Sequence, residues 1–580
     1  MSSSHSAQER SLSSKPGKDG RPQFDWELTP SALTDVVKLV VRTEVLPVIF
    51  VPGIMGSNLR LKSDGQIVWR LDAGVGGKPT TLVWMMSGTS AGKRQSLLHP
   101  ARTEVDRDGA IPKNVRGLDD KALKARGWGT VGQTSYGEFL KWLEETLNPQ
   151  EINPALWPEF LQAGTALSSR LGADGKLTLI PGRRVGMQGQ PFGEDEAFEP
   201  LMTDDLLRRS KFWMPVHAVG YNWLASNQEA AKKVLAPAIN SIRSQYNASP
   251  FTCRQVILVT HSMGGLVARA CAQLPDMQDQ IAGIVHGVMP ATGAAVAYRR
   301  CKIGLASEGA GVEGFLGAEV IGQSGKEVTA VFAQAPGALQ LLPSKDYQPG
   351  WLSVYQGTGA AQTWPRSNPY KEIYKVRDKW WGLVHEDWLS PKEGVPIEWK
   401  DFVENVDEAE SFHDDISGNY HPQTYVFYGA DDKQPSFERV SWQARPGRGR
   451  HATQVPDMPA LLQMSPQRMK LEGLTPEYVP GSAERLSAAT PRAANSFDFW
   501  ELHGAHHDGI GDGTVPVSSG RAPRERGGKN IKQQFALQGF SHEPAFNNAI
   551  ARHATLYAIT KIAGTAKIGT TAGTTRKAIP

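Results

Sequence analysis

Three segments far apart in the chain carry residue types that together could run nucleophilic acyl chemistry. They are VTHSMGG (residues 259–265) with Ser262, GIGDGTVPVSSG (509–520) with Asp512, and GFSHEPAFNNAI (539–550) with His542. A serine hydroxyl is a weak nucleophile until a histidine takes its proton, and the histidine needs a carboxylate to orient it. An exposed, strained serine between a strand and a helix also needs small residues two before and two after it, because the helix must pass close to the strand end. Gly264 and Gly265 meet that need after Ser262, whereas Thr260 stands where the first small residue belongs. The plainer alternative is a Gly-rich turn that holds a phosphate at a helix N-terminus or holds nothing, yet neither G-x-G-x-x-G nor GK[ST] is present. Residues 256–259 read as a strand and Leu266, Val267, Ala270, Cys271 and Leu274 as a buried helix face, which is the context an elbow requires.

A second loop, VPGIMGS, follows the first strong apolar run, where a hydrolase places backbone N–H groups for an oxyanion. The expected donors are Met263 and Met55, with Ile54 as the alternative to Met55. Asp431 and Asp432, directly after YVFYGA, rival Asp512 as the orienting acid, since a strand-end aspartate is a usual position in such enzymes. His261 adjoins the serine and is too near in the chain to act as its base. FHDDISGN (412–419) is expected to be a turn. The stretch ELHGAHHDGIGDGT offers His503, His506, His507 and Asp508 to a metal, but no His-x-x-x-His helix pattern or cysteine accompanies them. A serine mechanism requires no metal, so no cofactor is expected, with calcium left as an alternative.

The elements that must position these residues alternate along the chain. LPVIFV, MPVHAV, QVILV, IAGIV and TYVFYG are apolar runs that end in Gly or Pro turns, and amphipathic helices separate several of them. In SYGEFLKWLEETLN, Tyr136, Phe139, Leu140, Leu143 and Leu147 share a face, and Ser135 with Glu138 has capping-box spacing. Ser226 and Glu229 have the same spacing before a second helix, expected to bend at Pro237. Strands alternating with helices predict a mainly parallel α/β sheet. The intervals of about 70–210, 300–420 and 430–495 carry too little strand signal for sheet and read as cap or lid insertions. The predicted layout is a disordered tail over 1–24, one domain over 25–562, and a flexible tail over 563–580.

Composition bounds the function. Sixty-three basic against 59 acidic residues give a net charge of +4 over 580 residues, with no basic stripe, which argues against nucleic acid. The three cysteines, Cys253, Cys271 and Cys301, are too few and odd in number for a secreted disulfide framework. The N-terminus lacks an apolar signal core, and the most apolar stretch near it contains Lys38, Arg42 and Glu44, so neither a secretory signal nor a spanning helix is expected. Six of the 16 tryptophans fall between positions 351 and 399. Such a density suits either an interfacial membrane patch or, more simply, the core of an inserted subdomain. The Gly- and Ala-rich stretch over about 303–345 is a candidate mobile lid.

The blocks PVIFVPGIMGSNLRL, VWRLD, GYNWLAS, VTHSMGGLVAR, LQLLPS and GDGTVPVSS, with the His542 loop, resemble the lecithin:cholesterol acyltransferase-like α/β-hydrolases. They are spread from about 47 to 560. The resemblance implies the α/β-hydrolase fold, Ser262 as nucleophile, Asp512 rather than Asp431 or Asp432 as the acid, His542 as the base, and Met55 with Met263 at the oxyanion hole. GYNW lacks the acidic and basic residues of the family's Tyr-Asp-Trp-Arg segment, which favours hydrolysis over acyl transfer to an alcohol, and an inactive binding scaffold has no need of all three triad residues. A soluble N-terminus, THSMGG and large insertions are similar to the bacterial type VI secretion lipase effectors, the fourth lipase-effector family in particular. That likeness implies an antibacterial phospholipase made in the cytoplasm and delivered without a signal peptide to a target cell's periplasm or membrane. Its implied partners are lipid, a secretion spike component and a cognate immunity protein.

Overall fold

Strands buried on both faces are written as continuous apolar runs, and the runs of this sequence become one parallel sheet. In the computed structural model, β1 (Val48–Val51), β2 (Val216–Ala218), β3 (Val256–His261), β4 (Ile281–Gly287), β5 (Thr424–Gly429) and β6 (Ile531–Leu537) pair in the order β2-β1-β3-β4-β5-β6, every pair parallel. The structure describes residues 43–70, 72, 89–148, 201–305, 321–356, 359–446, 455, 457–466, 485–492, 496–504 and 507–569, with short strands at 10–12, 15–16, 22–23, 37–39, 167–171, 177–181, 184–185 and 190–191. The direction of strand addition reverses between β1 and β3, which makes the crevice beyond their C-terminal ends the natural site for a ligand. VPGIMGS leaves β1 there and the serine turn leaves β3 there.

Alternate residues of each strand enter opposite cores, as a period of two demands. Val48, Phe50, Ile257, Val259 and Val285 pack with Tyr136, Phe139 and Leu143 of α1 (Gln133–Leu147) and with Leu556 and Ile559 at the chain's end. Ile49, Val51, Leu258 and Ile284 pack with Leu266, Val267 and Cys271 of α2 (Gly264–Ala272). The insertions add α3 (Trp399–Ile416), and α4 (Ala549–Thr565) closes the chain. Glu144 keys α1 to the sheet: its carboxylate lies 2.9 Å from Arg126, with both side chains buried, and accepts the Val216 N–H at 2.8 Å. A buried pair of this kind fixes orientation because either charge alone would be costly there.

Several expectations need correction. The helix of the SYGEFL segment starts at Gln133 with Gly132 as its cap, so Ser135 lies inside the first turn and forms no capping box with Glu138. Ser226 does cap a helix, but its hydroxyl accepts from the Gln340 side chain instead. Pro237 does not break its helix. The chain passes through a wider π-turn at Ala230–Leu235 and Pro237 falls in the first turn after it, where a missing N–H costs least. FHDDISGN is helical up to Ile416, and the turn begins only at Ser417. The predicted C-terminal tail starts too early: α4 runs to Thr565, and the Lys567 and Gly569 N–H groups donate to Gln255 and Glu44. The tail regions 1–9 and 570–580 lie outside the described residues.

The insertions also contain sheet. Gln362–Trp364, Leu352–Gln356, Val440–Pro446, Ser496–Gly504 and Arg485–Arg492 form five strands in that order, and Leu59–Leu61, Ile67–Trp69 and Thr103–Val105 form three more. Some pair as local hairpins, Leu352–Gln356 with Gln362–Trp364 and Arg485–Arg492 with Ser496–Gly504, whereas Val440–Pro446 joins those two hairpins from a separate stretch of chain. Three of the six tryptophans belong to the core of this region, and Trp364, Trp388 and Trp399 are half-buried. Trp351, Trp380 and Trp381 are buried, Trp364 stacks on Trp381 with centroids 4.5 Å apart, and the Trp380 indole N–H donates to the Leu461 carbonyl. Of the candidate lid, Gly325–Phe332 and Pro336–Leu339 are helices packed into the core, and residues 306–320 lie outside the described set. Among the described residues no helix is long and apolar enough to cross a membrane.

α2 approaches β1 so closely that a Cβ on Gly264 would lie 2.4 Å from both the Val51 and the Pro52 carbonyl oxygens. Backbone on that side cannot swing away, so we predict that Gly264→Ala lowers unfolding stability by about 3 kcal/mol or more. Gly65→Ala, at φ +74 with no atom within 4 Å, should cost about 1–2 kcal/mol from backbone strain alone. Urea titrations of both variants check this, and equal losses would refute the close approach.

Burial holds His286 down to a pKa of about 3 and His413 to about 4, from an ordinary 6.5, so both fold as neutral rings. The unfolded chain therefore binds more protons below pH 6.5. Stability should be at its full value above that pH and fall as the pH drops toward 4, by up to about 1.4 kcal/mol per pH unit for each such histidine. Thermal melts at stepped pH should show this acid limb, shallower in His413→Gln. A melting temperature constant from pH 7 to pH 4 would contradict the assignment.

Candidate active site

Ser262 sits on the single turn between β3 and α2 with φ +50, a left-handed conformation that a side chain-bearing residue adopts only when its surroundings enforce it. The enforcement is visible on both sides. Gly264 lets α2 begin against the β1 carbonyls, and a Cβ on Gly53 would lie 2.9 Å from the Ser262 Cβ. Thr260, out of pattern in the sequence, is buried near the end of β3, and its hydroxyl is 2.9 Å from His286 Nδ1 on the neighbouring strand β4. A partner for the hydroxyl removes the cost of burying it. A smaller residue is needed two positions after the serine, and Gly264 supplies it.

His542 lies on the loop between β6 and α4, with Nε2 2.8 Å from Ser262 Oγ and Nδ1 2.8 Å from Asp512 Oδ2. Asp512 is buried, and its other oxygen accepts the Thr514 and Val515 N–H groups at 3.0 and 2.7 Å. Three donors thus converge on one carboxylate and fix its orientation. Asp512 packs directly over the end of β5: a Cβ on Gly429 would lie 2.6 Å from its own Cβ. The strand-end place expected of the acid is thus filled from a later segment. Asp431, the rival, instead accepts the Lys433 and Gly539 N–H groups and so braces the start of the histidine loop. Asp432 is exposed.

The loop after β1 is held from three directions. The Tyr221 hydroxyl donates to the Pro52 carbonyl at 3.0 Å, the Trp69 indole N–H donates to the Met55 carbonyl, and the Gly53 N–H reaches the Tyr136 hydroxyl at 3.4 Å. Met55 itself has φ +63, which reverses the chain at the residue expected to present an N–H. Ile54 precedes it in the same turn. Met263 opens the first turn of α2, where backbone N–H groups have no partner within the helix. Tyr136 and Tyr221 were legible only as apolar face and resemblance block; nothing in periodicity announces what their hydroxyls do.

The metal cluster read from the sequence does not assemble among the described residues. Asp508 accepts the Glu438 and Arg439 N–H groups, and the His507 ring packs on Phe437. His506 and the side chain of His503 lie outside the described set. Cys253, Cys271 and Cys301 are free, buried thiols whose pKa burial pushes up to about 12, so none competes as a nucleophile.

Residues 210–305, which carry β2, β3, the serine turn and β4, match the family model of the PGAP1-like alpha/beta domain. No curated protein matches the chain. Among solved structures, phospholipase PlaB from Legionella pneumophila shows 10% identity over 54% of this chain and 74% of its own, with a TM-score of 0.14 too low to carry an argument. The structure of the Tle4-Tli4 complex is similar at 30% identity, over 90% of this chain and 99% of that chain, with a TM-score of 0.68. A likeness of that identity over nearly the whole of both chains places this α/β-hydrolase in the Tle4 family of type VI lipase effectors.

Proposed function

We propose that the protein hydrolyses acyl esters of phospholipid through an acyl-enzyme on Ser262. The observation that carries this reading is the unbroken line of hydrogen bonds from Ser262 Oγ through His542 to Asp512, each 2.8 Å. With Nδ1–H donating to the Asp512 carboxylate, His542 Nε2 is left as the acceptor for the Ser262 proton. As Ser262 Oγ attacks the ester carbonyl, the proton moves to His542 and the carbonyl oxygen takes on negative charge. The N–H groups of Met263 and Met55 are the donors in reach of that loop-and-helix corner, and Met263 adds the positive end of α2. Collapse of the tetrahedral intermediate expels the lysolipid alkoxide, which takes the proton from His542. Water, deprotonated by the same ring, then releases the fatty acid and restores Ser262.

These steps call on no metal or cofactor. Because the related structure is a complex with Tli4, the same reading gives this chain a protein partner of the Tli4 kind that guards the producing cells. It also gives delivery by type VI secretion from the cytoplasm on a spike component, and action on the membrane of a neighbouring bacterium.

Fatty-acid release from mixed phospholipid vesicles tests the reading. Wild type should release it; Ser262→Ala and His542→Ala should each lose about 10⁴-fold or more in turnover, and Asp512→Asn about 10⁴-fold, with Asp431→Asn far less affected. Release undiminished in Ser262→Ala would overturn it.

A further inference from the structure

His542 is fastened by both of its backbone polar groups as well as by its ring. Its N–H donates to the Asp512 carbonyl at 2.8 Å, and its carbonyl accepts from His261 Nε2 at 3.0 Å. The loop of the acid and the turn of the serine therefore each hold the histidine twice, once by a ring nitrogen and once by main chain. His261 is the residue that gives the serine turn its second hold.

The tautomer of His261 follows from its partners. A carbonyl can only accept, so Nε2 carries the hydrogen, and a neutral ring leaves Nδ1 as acceptor. The Tyr136 hydroxyl, 3.0 Å away, supplies that hydrogen, while its oxygen faces the Gly53 N–H of the β1 loop at 3.4 Å. Burial, reinforced by the neighbouring His542, lowers the His261 pKa to about 3, which agrees with a ring that stays neutral. The two imidazoles lie with centroids 5.3 Å apart, and His261 meets Tyr136 edge to face at 5.5 Å. An apolar side chain could fill the same volume, but it would remove the hydrogen bond by which the serine turn holds the His542 carbonyl, leaving that carbonyl tied only within its own 3-10 turn, Glu543–Asn547.

We propose that His261 and Tyr136 are positioning residues: Tyr136 fixes the His261 tautomer, and His261 clamps the His542 carbonyl so that the imidazole meets Ser262 in reacting geometry. This rests on the reading of Ser262 and His542 as the reacting pair. It predicts a loss in turnover without a loss in substrate binding, because both side chains are buried beneath the serine turn and the β1 loop.

The test is steady-state hydrolysis of a soluble p-nitrophenyl ester by the full chain, with rates normalised to folded protein. His261→Leu should lower kcat about 100-fold with KM changed by less than about twofold. His261→Gln, whose amide N–H reaches the place of Nε2, should recover about tenfold of that loss. Tyr136→Phe should lower kcat about tenfold, and Tyr136→Phe added to His261→Leu should cost markedly less than in the wild-type chain, since the part of its effect that runs through His261 is already lost and only its contact with the Gly53 N–H remains. A residue that only stabilised the fold would lower the melting temperature, leave kcat of the folded fraction at the wild-type value, and show neither rescue nor non-additivity; that result overturns the proposal. Should His261→Leu fail to fold, Tyr136→Phe decides, with wild-type kcat counting against. Activity retained in Ser262→Ala would instead refute the underlying serine reading, whereas an active wild type, a dead Ser262→Ala and an unaffected His261→Leu would refute the positioning role alone.

Discussion

The first turn of α2 can begin where it does because Gly264 brings no side chain against the Val51 and Pro52 carbonyls. That close approach leaves one residue to reverse the chain between β3 and α2, and Ser262 takes the strained left-handed conformation as a result. The loop after β1 is caught in the same contact, since Gly53 packs on His261 and Ser262. Serine, helix N-terminus and candidate oxyanion loop are thus one rigid corner of the sheet, at the point where the strand order reverses. Tyr136, from the 70–210 interval, adds a hold on this corner through the Gly53 N–H and His261.

The histidine and the acid arrive from the other side. β6 and the loop after it carry His542, and the 507–516 segment folds back over the end of β5 to deliver Asp512. Asp431 braces the root of the histidine loop, and the main chain of His542 is tied at both ends. The chemistry can therefore be hung on loops, which tolerate insertion, because hydrogen bonds rather than long elements set the final positions. The insertions, with their own strands and a tryptophan-rich core, add to this frame without interrupting the sheet.

Much of this was legible in the sequence, for physical reasons. A parallel strand buried on both faces must be apolar throughout, so β1, β3, β4 and β5 stood out, and a strand, a serine and two glycines in the right order imply an elbow. Other features had no local signature. The choice between Asp431 and Asp512 depends on which loop overlies the end of β5, which is a matter of three-dimensional packing. Ser135 and Ser226 have capping spacing, yet helix starts are set by where the chain enters the core. In the insertions Val440–Pro446 pairs across long separations with Leu352–Gln356 and Ser496–Gly504. Tyr136 reads as an apolar position because its ring is one; its hydroxyl acquires a function only when folding brings His261 to it.

The central claim is that the strained corner makes Ser262 the reacting nucleophile. It is tested most directly by incubating the full chain with a fluorophosphonate and mapping the adduct by peptide mass spectrometry. The account predicts a single adduct on the peptide that contains Ser262, absent in Ser262→Ala and formed about 10³-fold or more slowly in His542→Ala, which lacks the base. An adduct on a different serine, or labelling of Ser262 at an unchanged rate without His542, would contradict it.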